Sequence, residues 1–280
     1  MILIGLNINL ALNNHSEVLE KLNMISKSLP ISYKILNKDI VLDEFIKSDF
    51  HNSQIKNNNL DYIFSIGGDG TVLSTLREYS HLNIPILGIN IGHLGFLTES
   101  NKNDLPDVMK MIVEKKIKIE NRLLLSFDLL QNGKKTNFIA ANDIVIDRGK
   151  SARIMQTDLY ISNSLLNSFK GDGLILSTPN GSTGYALSAG GPIIPPNLKV
   201  ISITPICPHS LSARPVIVNS EENIIIKFPE QKLLRTVTID GQITIDIDNQ
   251  SEIYITSSEY KARFIIISEY YEKLRNKMHW

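Results

Sequence analysis

Two glycine-rich stretches carry the residue types best suited to chemistry. In the first, Gly67-Gly68-Asp69-Gly70-Thr71 follows the apolar run Tyr62–Ile66 and precedes the helix-like stretch Val72–Tyr79. Glycines let backbone N–H groups approach a phosphate, and a helix N-terminus adds a favourable dipole, so the loop reads as an anion site. A carboxylate in its middle repels phosphate unless Asp69 holds a metal ion or takes up a proton during reaction. The alternative is a tight turn in which Asp69 merely caps the helix. The second stretch, Lys170 to Pro192, combines Lys170-Gly171-Asp172-Gly173 with a short apolar strand and then Asn180-Gly181-Ser182-Thr183-Gly184-Tyr185. Its hydroxyls and amides suit sugar hydroxyls and phosphates. Tyr185, Leu187 and the leading strand set it apart from a disordered linker.

Other chemistries are excluded by what is missing. No Gly-x-Gly-x-x-Gly occurs, because Leu73 and Leu176 stand where the last glycine is needed. Gly149-Lys150-Ser151 has the tail of a P-loop, yet Ile144 occupies the position of its first glycine, so this is a basic turn between strands. The single cysteine, Cys207, allows no internal disulfide and is expected to be a buried small apolar residue. The 6 histidines form no pair at metal-ligand spacing, and no metal site built from protein ligands is expected. Lys plus Arg equals Asp plus Glu at 29 each, which leaves no basic excess for nucleic acid. No apolar run approaches the ~18 residues that span a bilayer. A soluble cytoplasmic protein is therefore expected, with neither nucleic acid nor membrane as partner.

The 280 residues, 42% of them hydrophobic, must build the elements that position these loops. Short apolar runs at Met1–Asn7, Ile31–Leu36, Tyr62–Ile66 and Ile84–Asn90 alternate with helix-period segments at Ser16–Leu29 and Leu105–Glu114. That alternation predicts a doubly wound, Rossmann-like α/β domain over residues 1–117, with Asp39–Leu60 as a polar connection. Beyond it the pattern turns to short strands: Lys118–Leu130, a hairpin turn at Gln131–Lys134, Thr136–Ile146, Ile154–Ile161, Leu174–Ser177, Lys199–Thr204, Asn223–Phe228, Thr236–Ile239, Ile243–Ile247, Glu252–Ser257 and Phe264–Ser268. A β-sandwich-like, all-β second domain over residues 118–280 is expected, closed by a C-terminal helix at about 269–279 that packs back on the first domain.

The motifs taken together resemble those of the NAD kinases, ATP:NAD 2′-phosphotransferases. The likeness rests on Gly67–Thr71, Gly88-Ile89-Asn90-Ile91-Gly92-His93-Leu94-Gly95-Phe96-Leu97, Asn142-Asp143, Gly171–Pro192, and Pro208-His209-Ser210-Leu211-Ser212-Ala213-Arg214-Pro215. The first motif is shared with lipid and sugar kinases; the Ser-Thr-Gly-Tyr block decides the family. The resemblance implies that Asp69 is the base taking the proton from the adenosine ribose 2′-hydroxyl of NAD, with Gly70 bringing backbone close to the same ligand. Asn142 and Asp143 match an Asn-Glu pair that grips the dinucleotide, Asp143 being the shorter acid. Arg153, Lys170 and Asp172 match positions that contact NAD or the phosphate it receives. Thr183, Gly184, Tyr185, Ala186, Leu187 and Ser188 match the substrate-holding loop, with Gly184 in place of the usual Ala, and Gln242 matches a further ligand position. Phe96 is expected in the core rather than on adenine, and His209 in a structural hydrogen bond. The implied substrates are ATP and NAD, with a divalent cation, Mg²⁺, brought by ATP, and the family implies a homo-oligomer, a dimer or tetramer. The alternatives are a lipid or sugar kinase sharing only the first loop, or a non-catalytic dinucleotide sensor. A sensor gains nothing from an unpaired carboxylate beside a phosphate, so Asp69 argues against it.

Overall fold

Strand β1, Ile2–Ile8, sends Ile4, Leu6 and Ile8 to one face and Asn7 to the other, and this period of two sets the architecture around it. The structure is a computed structural model that describes residues 1–12, 15–37, 59–92, 95–229 and 234–280. β1 lies parallel between β2 (Ile31–Ile35) and β3 (Tyr62–Gly67), β4 (Ile86–Asn90) continues parallel beside β3, and the short β5 (Ser100–Asn101) pairs in parallel with β4. Helices α1 (His15–Ser26), α2 (Asp69–Tyr79) and α3 (Leu105–Val113) cover the sheet. Val18, Leu19 and Leu22 of α1 and Leu105, Val108, Met109 and Ile112 of α3 share one core with Ile4, Leu6, Phe64, Ile66, Leu87 and Ile89. The opposite face takes α2, where Asn7 Nδ2 donates to Thr75 Oγ1 at 2.7 Å and Thr75 Oγ1 donates to Ser65 Oγ at 2.9 Å. A parallel sheet with helices on both faces is the doubly wound arrangement expected. The connection expected at Asp39–Leu60 lies, up to residue 58, outside the described residues.

The chain forms two compact units, Met1–Asn121 with Ala262–Trp280, and Arg122–Lys261. The second domain, expected over residues 118–280, gives up Ala262–Ile266 to the first unit together with the terminal helix, whose return there was expected. Phe264 pairs in parallel with Ile86, Ile265 enters the core of the first unit, and the terminal helix anchors there through Lys273 and Glu99.

In the second unit, β6 (Lys118–Gln131) and β7 (Lys134–Ala140) form a hairpin. Its turn holds Asn132 and Gly133 at φ 52° and 71°, the left-handed pair that an Asn-Gly turn supplies. A second sheet is antiparallel throughout: β8 (Asp143–Asp147), β11 (Gly173–Ser177), β12 (Val200–Ile206), β13 (Val216–Asn219), β15 (Arg235–Ile239) and β16 (Ile243–Ile247), in the order β13-β12-β11-β8-β15-β16. Strands β9 (Met155–Ile161), β10 (Ser164–Gly171), β14 (Ile224–Lys227) and β17 (Glu252–Ile266) belong to the first sheet's side of the unit. Between them, Phe127, Ile144, Ile146, Leu174, Leu176, Ile203, Val237 and Ile253 build one core.

Several expected boundaries differ. Thr136–Ile146 is broken at Ala141-Asn142, so β7 and β8 join different sheets. β10 and β13 were absent from the sequence expectation because five successive residues of β10 are exposed and β13 buries none fully, which erases the apolar alternation. Glu252–Ser257 and Phe264–Ser268, expected as two strands, are one continuous strand. Cys207 is exposed rather than buried, because β12 ends at Ile206 and Cys207 turns out of the sheet at φ 44°.

Candidate active site

Tight packing at the end of β3 fixes where Asp69 sits. A side chain at Gly67 would meet Thr71 Oγ1 at 2.2 Å, so only glycine lets the chain turn directly into α2. Gly68 caps that helix without a side-chain bond, and Asp69 is its first residue. Its carboxylate does not cap the helix, which overturns the turn-and-cap alternative. It reaches across to another loop instead. Phe96 N donates to Asp69 Oδ2 at 2.8 Å, and Leu97 N and Thr98 N donate to Oδ1 at 3.0 and 3.2 Å. Gly95 makes room, since a Cβ there would lie 1.8 Å from Oδ1. Gly70 is exposed beside Asp69. Phe96 is half-buried, and Leu97 is the loop's core residue.

The loop that holds Asp69 is itself held. Gly95 N donates to Thr98 Oγ1 at 2.9 Å, and Glu99 N donates to Gly88 O at 2.9 Å. Helix α5 (Tyr270–Met278) contributes the buried Lys273, whose Nζ donates to Glu99 Oε1 at 2.5 Å, Thr98 O at 3.1 Å and Phe96 O at 3.3 Å. Glu99 Oε2 accepts from Ile267 N, Ser268 N and Ser268 Oγ. Gly95 lay within a recognised motif, but nothing in the sequence linked Glu99 to a lysine 174 positions away.

In the second unit, the break between β7 and β8 makes the other half of the predicted chemistry. Asp240, in the left-handed conformation at φ 51°, accepts from Asn142 N at 2.7 Å, Ala141 N at 3.1 Å and Asp143 N at 3.2 Å. These amides leave the ladder and Asn142 and Asp143 are set side by side. Gly181 allows the segment in, because a Cβ there would lie 2.3 Å from Asn142 O. Asn142 Oδ1 is buried and has no hydrogen-bond partner among the described residues. Burial first, and the Asp240 charge second, push the Asp143 carboxyl up to about 7. Asp240 was missed from sequence; the Asp-Gly turn was noticed only for Gln242.

The block after Lys170 folds around this pair. Asn180–Thr183 forms a 3₁₀ turn and Tyr185–Ser188 a single helical turn, α4. A Cβ at Gly184 would lie 3.9 Å from both Asn142 Nδ2 and Asp143 Oδ2, so the alanine usual in this motif has room. Thr183 Oγ1 donates to Asn180 O, Ala186 is buried against Val145 and Ile175, Leu187 is half-buried and Ser188 is exposed. Tyr185 is exposed, and its hydroxyl is held above the usual range by partial burial and then by neighbours that include Asp147, Asp172 and Asp143. Asn142, Asp143, Asp172, Gly184 and Tyr185 are thus neighbours. Asp172 is paired with Arg148 at 2.8 Å, a partner that sequence reasoning missed. Lys170 is exposed at the end of β10, and its carbonyl accepts from His209 N at 2.8 Å. His209 therefore bonds through its main chain, with an exposed side chain. Arg153 is exposed on the β8–β9 connection, and Gln242 is exposed in the turn after β15. Among the described residues, no three His, Cys, Asp or Glu side chains converge as metal ligands, and no helix is long and apolar enough to cross a membrane.

Comparison with known proteins places the chain in a family. A family model of the ATP-NAD kinase N-terminal domain matches residues 9–117, and one of the ATP-NAD kinase C-terminal domain matches residues 141–267. The NAD kinase of Clostridium botulinum (strain Loch Maree / Type A3) is 42% identical over 227 residues, 79% of each chain. That of Natranaerobius thermophilus is 38% identical over 221 residues, 78% of this chain and 77% of its own. Among solved structures, an NAD kinase from Archaeoglobus fulgidus in complex with ATP superposes with a TM-score of 0.77 at 28% identity, covering 100% of this chain and 99% of that one. A yeast NADH kinase complexed with NADH shares the fold, with a TM-score of 0.87 at 24% identity over 100% of this chain and 88% of its own.

Proposed function

The chain belongs to the ATP-NAD kinase family and phosphorylates NAD to NADP with ATP as donor, and from that premise we propose how its residues serve the reaction. The lipid or sugar kinase alternative falls, because the match extends through the C-terminal domain as well as the shared first loop.

A secondary hydroxyl attacks a γ-phosphoryl group poorly without positioning and a proton acceptor. The observation that carries the assignment is the seating of Asp69. An ionised carboxylate offers about four lone-pair positions, and amide hydrogens from Phe96, Leu97 and Thr98 fill three of them. One position is left for the 2′-hydroxyl. Asp69 takes that proton as the 2′ oxygen bonds to the γ-phosphorus, and the bond from phosphorus to the β,γ-bridging oxygen breaks to release ADP. The divalent ion enters as MgATP, a substrate, and Gly70 keeps backbone close to the ligand.

Asn142 and Asp143 hold ribose or adenine groups of NAD, which supplies the donor that the buried Asn142 Oδ1 lacks. Thr183, Gly184, Tyr185, Leu187 and Ser188 line the same place, the buried Ala186 packs beneath them on Val145 and Ile175 rather than facing the ligand, and Gln242 adds a contact. Lys170, Arg153 and the Arg148–Asp172 pair serve the phosphate region. Homo-oligomer formation is supported by β10, a sheet-edge strand that exposes Leu165 and Leu166. A single cysteine is consistent with the reducing cytoplasm.

Purified protein with MgATP and NAD, its product read by an NADP-specific dehydrogenase, tests the reading. Asp69→Asn keeps the shape and removes the proton acceptor, so kcat is expected to fall ~10²–10⁴-fold, and a variant keeping more than about a third of wild-type kcat would sink the base role.

A further inference from the structure

The Lys273 ammonium donates three bonds to the loop that seats Asp69. They run to Phe96 O, Thr98 O and the side chain of Glu99, and both members of the ion pair are buried, with side-chain exposures of 5% and 2%. The peptide between Phe96 and Leu97 has the most telling place. In a trans peptide the C=O and N–H point in opposite directions. Here the Phe96 carbonyl accepts from Lys273 while the Leu97 N–H donates to Asp69 Oδ1. One peptide unit therefore lies between an ammonium and a carboxylate, polarised by both in the same sense, which strengthens each bond. The Thr98 carbonyl is held by the same ammonium while its N–H faces Asp69. Glu99 fixes the lysine, and is tied in turn to the chain entering α5 through Ile267 N and Ser268. A buried ammonium must satisfy its N–H groups wherever it lies; here two of the acceptors are carbonyls of the residues whose amides seat Asp69, so what fixes the lysine also fixes that loop.

We infer that Lys273, oriented by Glu99, is a positioning residue for the phosphoryl transfer: the C-terminal helix sets the carbonyls of residues 96 and 98 so that the amides of residues 96–98 hold Asp69 in its reactive orientation. This rests on Asp69 being the base. Lys273 touches no substrate in this scheme. Its loss should therefore lower kcat with little change in KM for either NAD or ATP, the signature of an interaction used in the transition state alone.

The test is steady-state kinetics on wild type, Lys273→Met, Lys273→Met/Glu99→Gln, Asp69→Asn and Asp69→Asn/Lys273→Met, at a temperature below the lowest thermal midpoint. Lys273→Met strands the Glu99 charge and is expected to melt early. The double variant with Glu99→Gln removes both charges and keeps an acceptor for Ile267 and Ser268, so its midpoint should recover. Its kcat should nevertheless stay about tenfold or more below wild type, because misplacement of a reacting group by a fraction of an ångström to 1 Å has costs of that order. In the Asp69→Asn background the lysine substitution should cause no further loss in rate. Recovery of kcat together with the midpoint would overturn the inference, as would losses that multiply in the Asp69→Asn background. An active Asp69→Asn enzyme would instead overturn the base assignment itself. An inactive Asp69→Asn beside a fully active Lys273→Met/Glu99→Gln would remove only the role of Lys273.

Discussion

The Asp143–Asp240 pair makes stability depend on pH in an unusual direction, and Asp143→Asn tests it. Burial, then the neighbouring Asp240 charge, raise the Asp143 carboxyl from its ordinary 3.8 to about 7. Between those values the folded protein holds a proton that the unfolded chain has released. Stability must then fall as pH rises through that window and level off above it. A separation of about 3 pH units at about 1.4 kcal/mol each is on the order of 4 kcal/mol. For a protein of this size that corresponds to a difference in melting temperature on the order of 10 °C. Asparagine mimics the protonated acid and has no charge to develop. Thermal unfolding of wild type and Asp143→Asn from pH 5 to 8 isolates this contribution from other titrating groups. The variant should already melt somewhat higher than wild type at pH 5, which lies above the ordinary 3.8, and the gap should widen to about pH 7 and then level off. Parallel curves across the range would refute the placement of Asp143 as a carboxyl buried beside a second charge. Binding should behave in a related way: if NAD hydroxyls donate to ionised Asp143, the KM for NAD rises as pH drops below about 7, and Asp143→Asn loses that dependence.

Three further outcomes are expected. Gly95→Ala drives a methyl into Asp69 Oδ1, from which its Cβ would lie only 1.8 Å away, and kcat measured with NAD and MgATP should fall about 10²-fold from the displaced base. Asp240→Ala leaves the amides of Ala141, Asn142 and Asp143 without their acceptor; urea unfolding should show a loss of about 2–5 kcal/mol and kinetics a larger rise in KM for NAD than for ATP. Lys170→Ala should weaken NADP⁺ roughly tenfold and NAD much less, because only NADP⁺ carries the 2′-phosphate that a cation would bind. Calorimetric titration of both dinucleotides reads that difference, and equal losses would place Lys170 away from the 2′ position.

Local grammar settled much of this protein. The Gly-Gly-Asp-Gly-Thr loop lies between a strand and a helix that its own residues specify, so Asp69 was legible as a candidate from five consecutive residues. The alternation of apolar runs and helix-period segments likewise specified the doubly wound unit, since each strand face is written within a few positions. The Ser-Thr-Gly-Tyr block and the Asn142-Asp143 pair were readable as motifs for the same reason. What the tertiary structure decided are contacts between residues far apart in the chain, where no local pattern records the partner. Asp240 breaks the run Thr136–Ile146 by accepting amides 97 to 99 positions away, and nothing in that β-prone run foretells the break. Arg148 neutralises Asp172 across a turn that sequence reading had set aside as a failed P-loop. The C-terminal residues return to the first unit because Phe264 finds Ile86 and Lys273 finds Glu99, choices made by burial and charge pairing in three dimensions. The identity of the acid was thus local information. The direction in which its carboxylate points is not, because the amides that hold it come from residues 96–98 and the ammonium that holds their carbonyls comes from a helix near the other end of the chain.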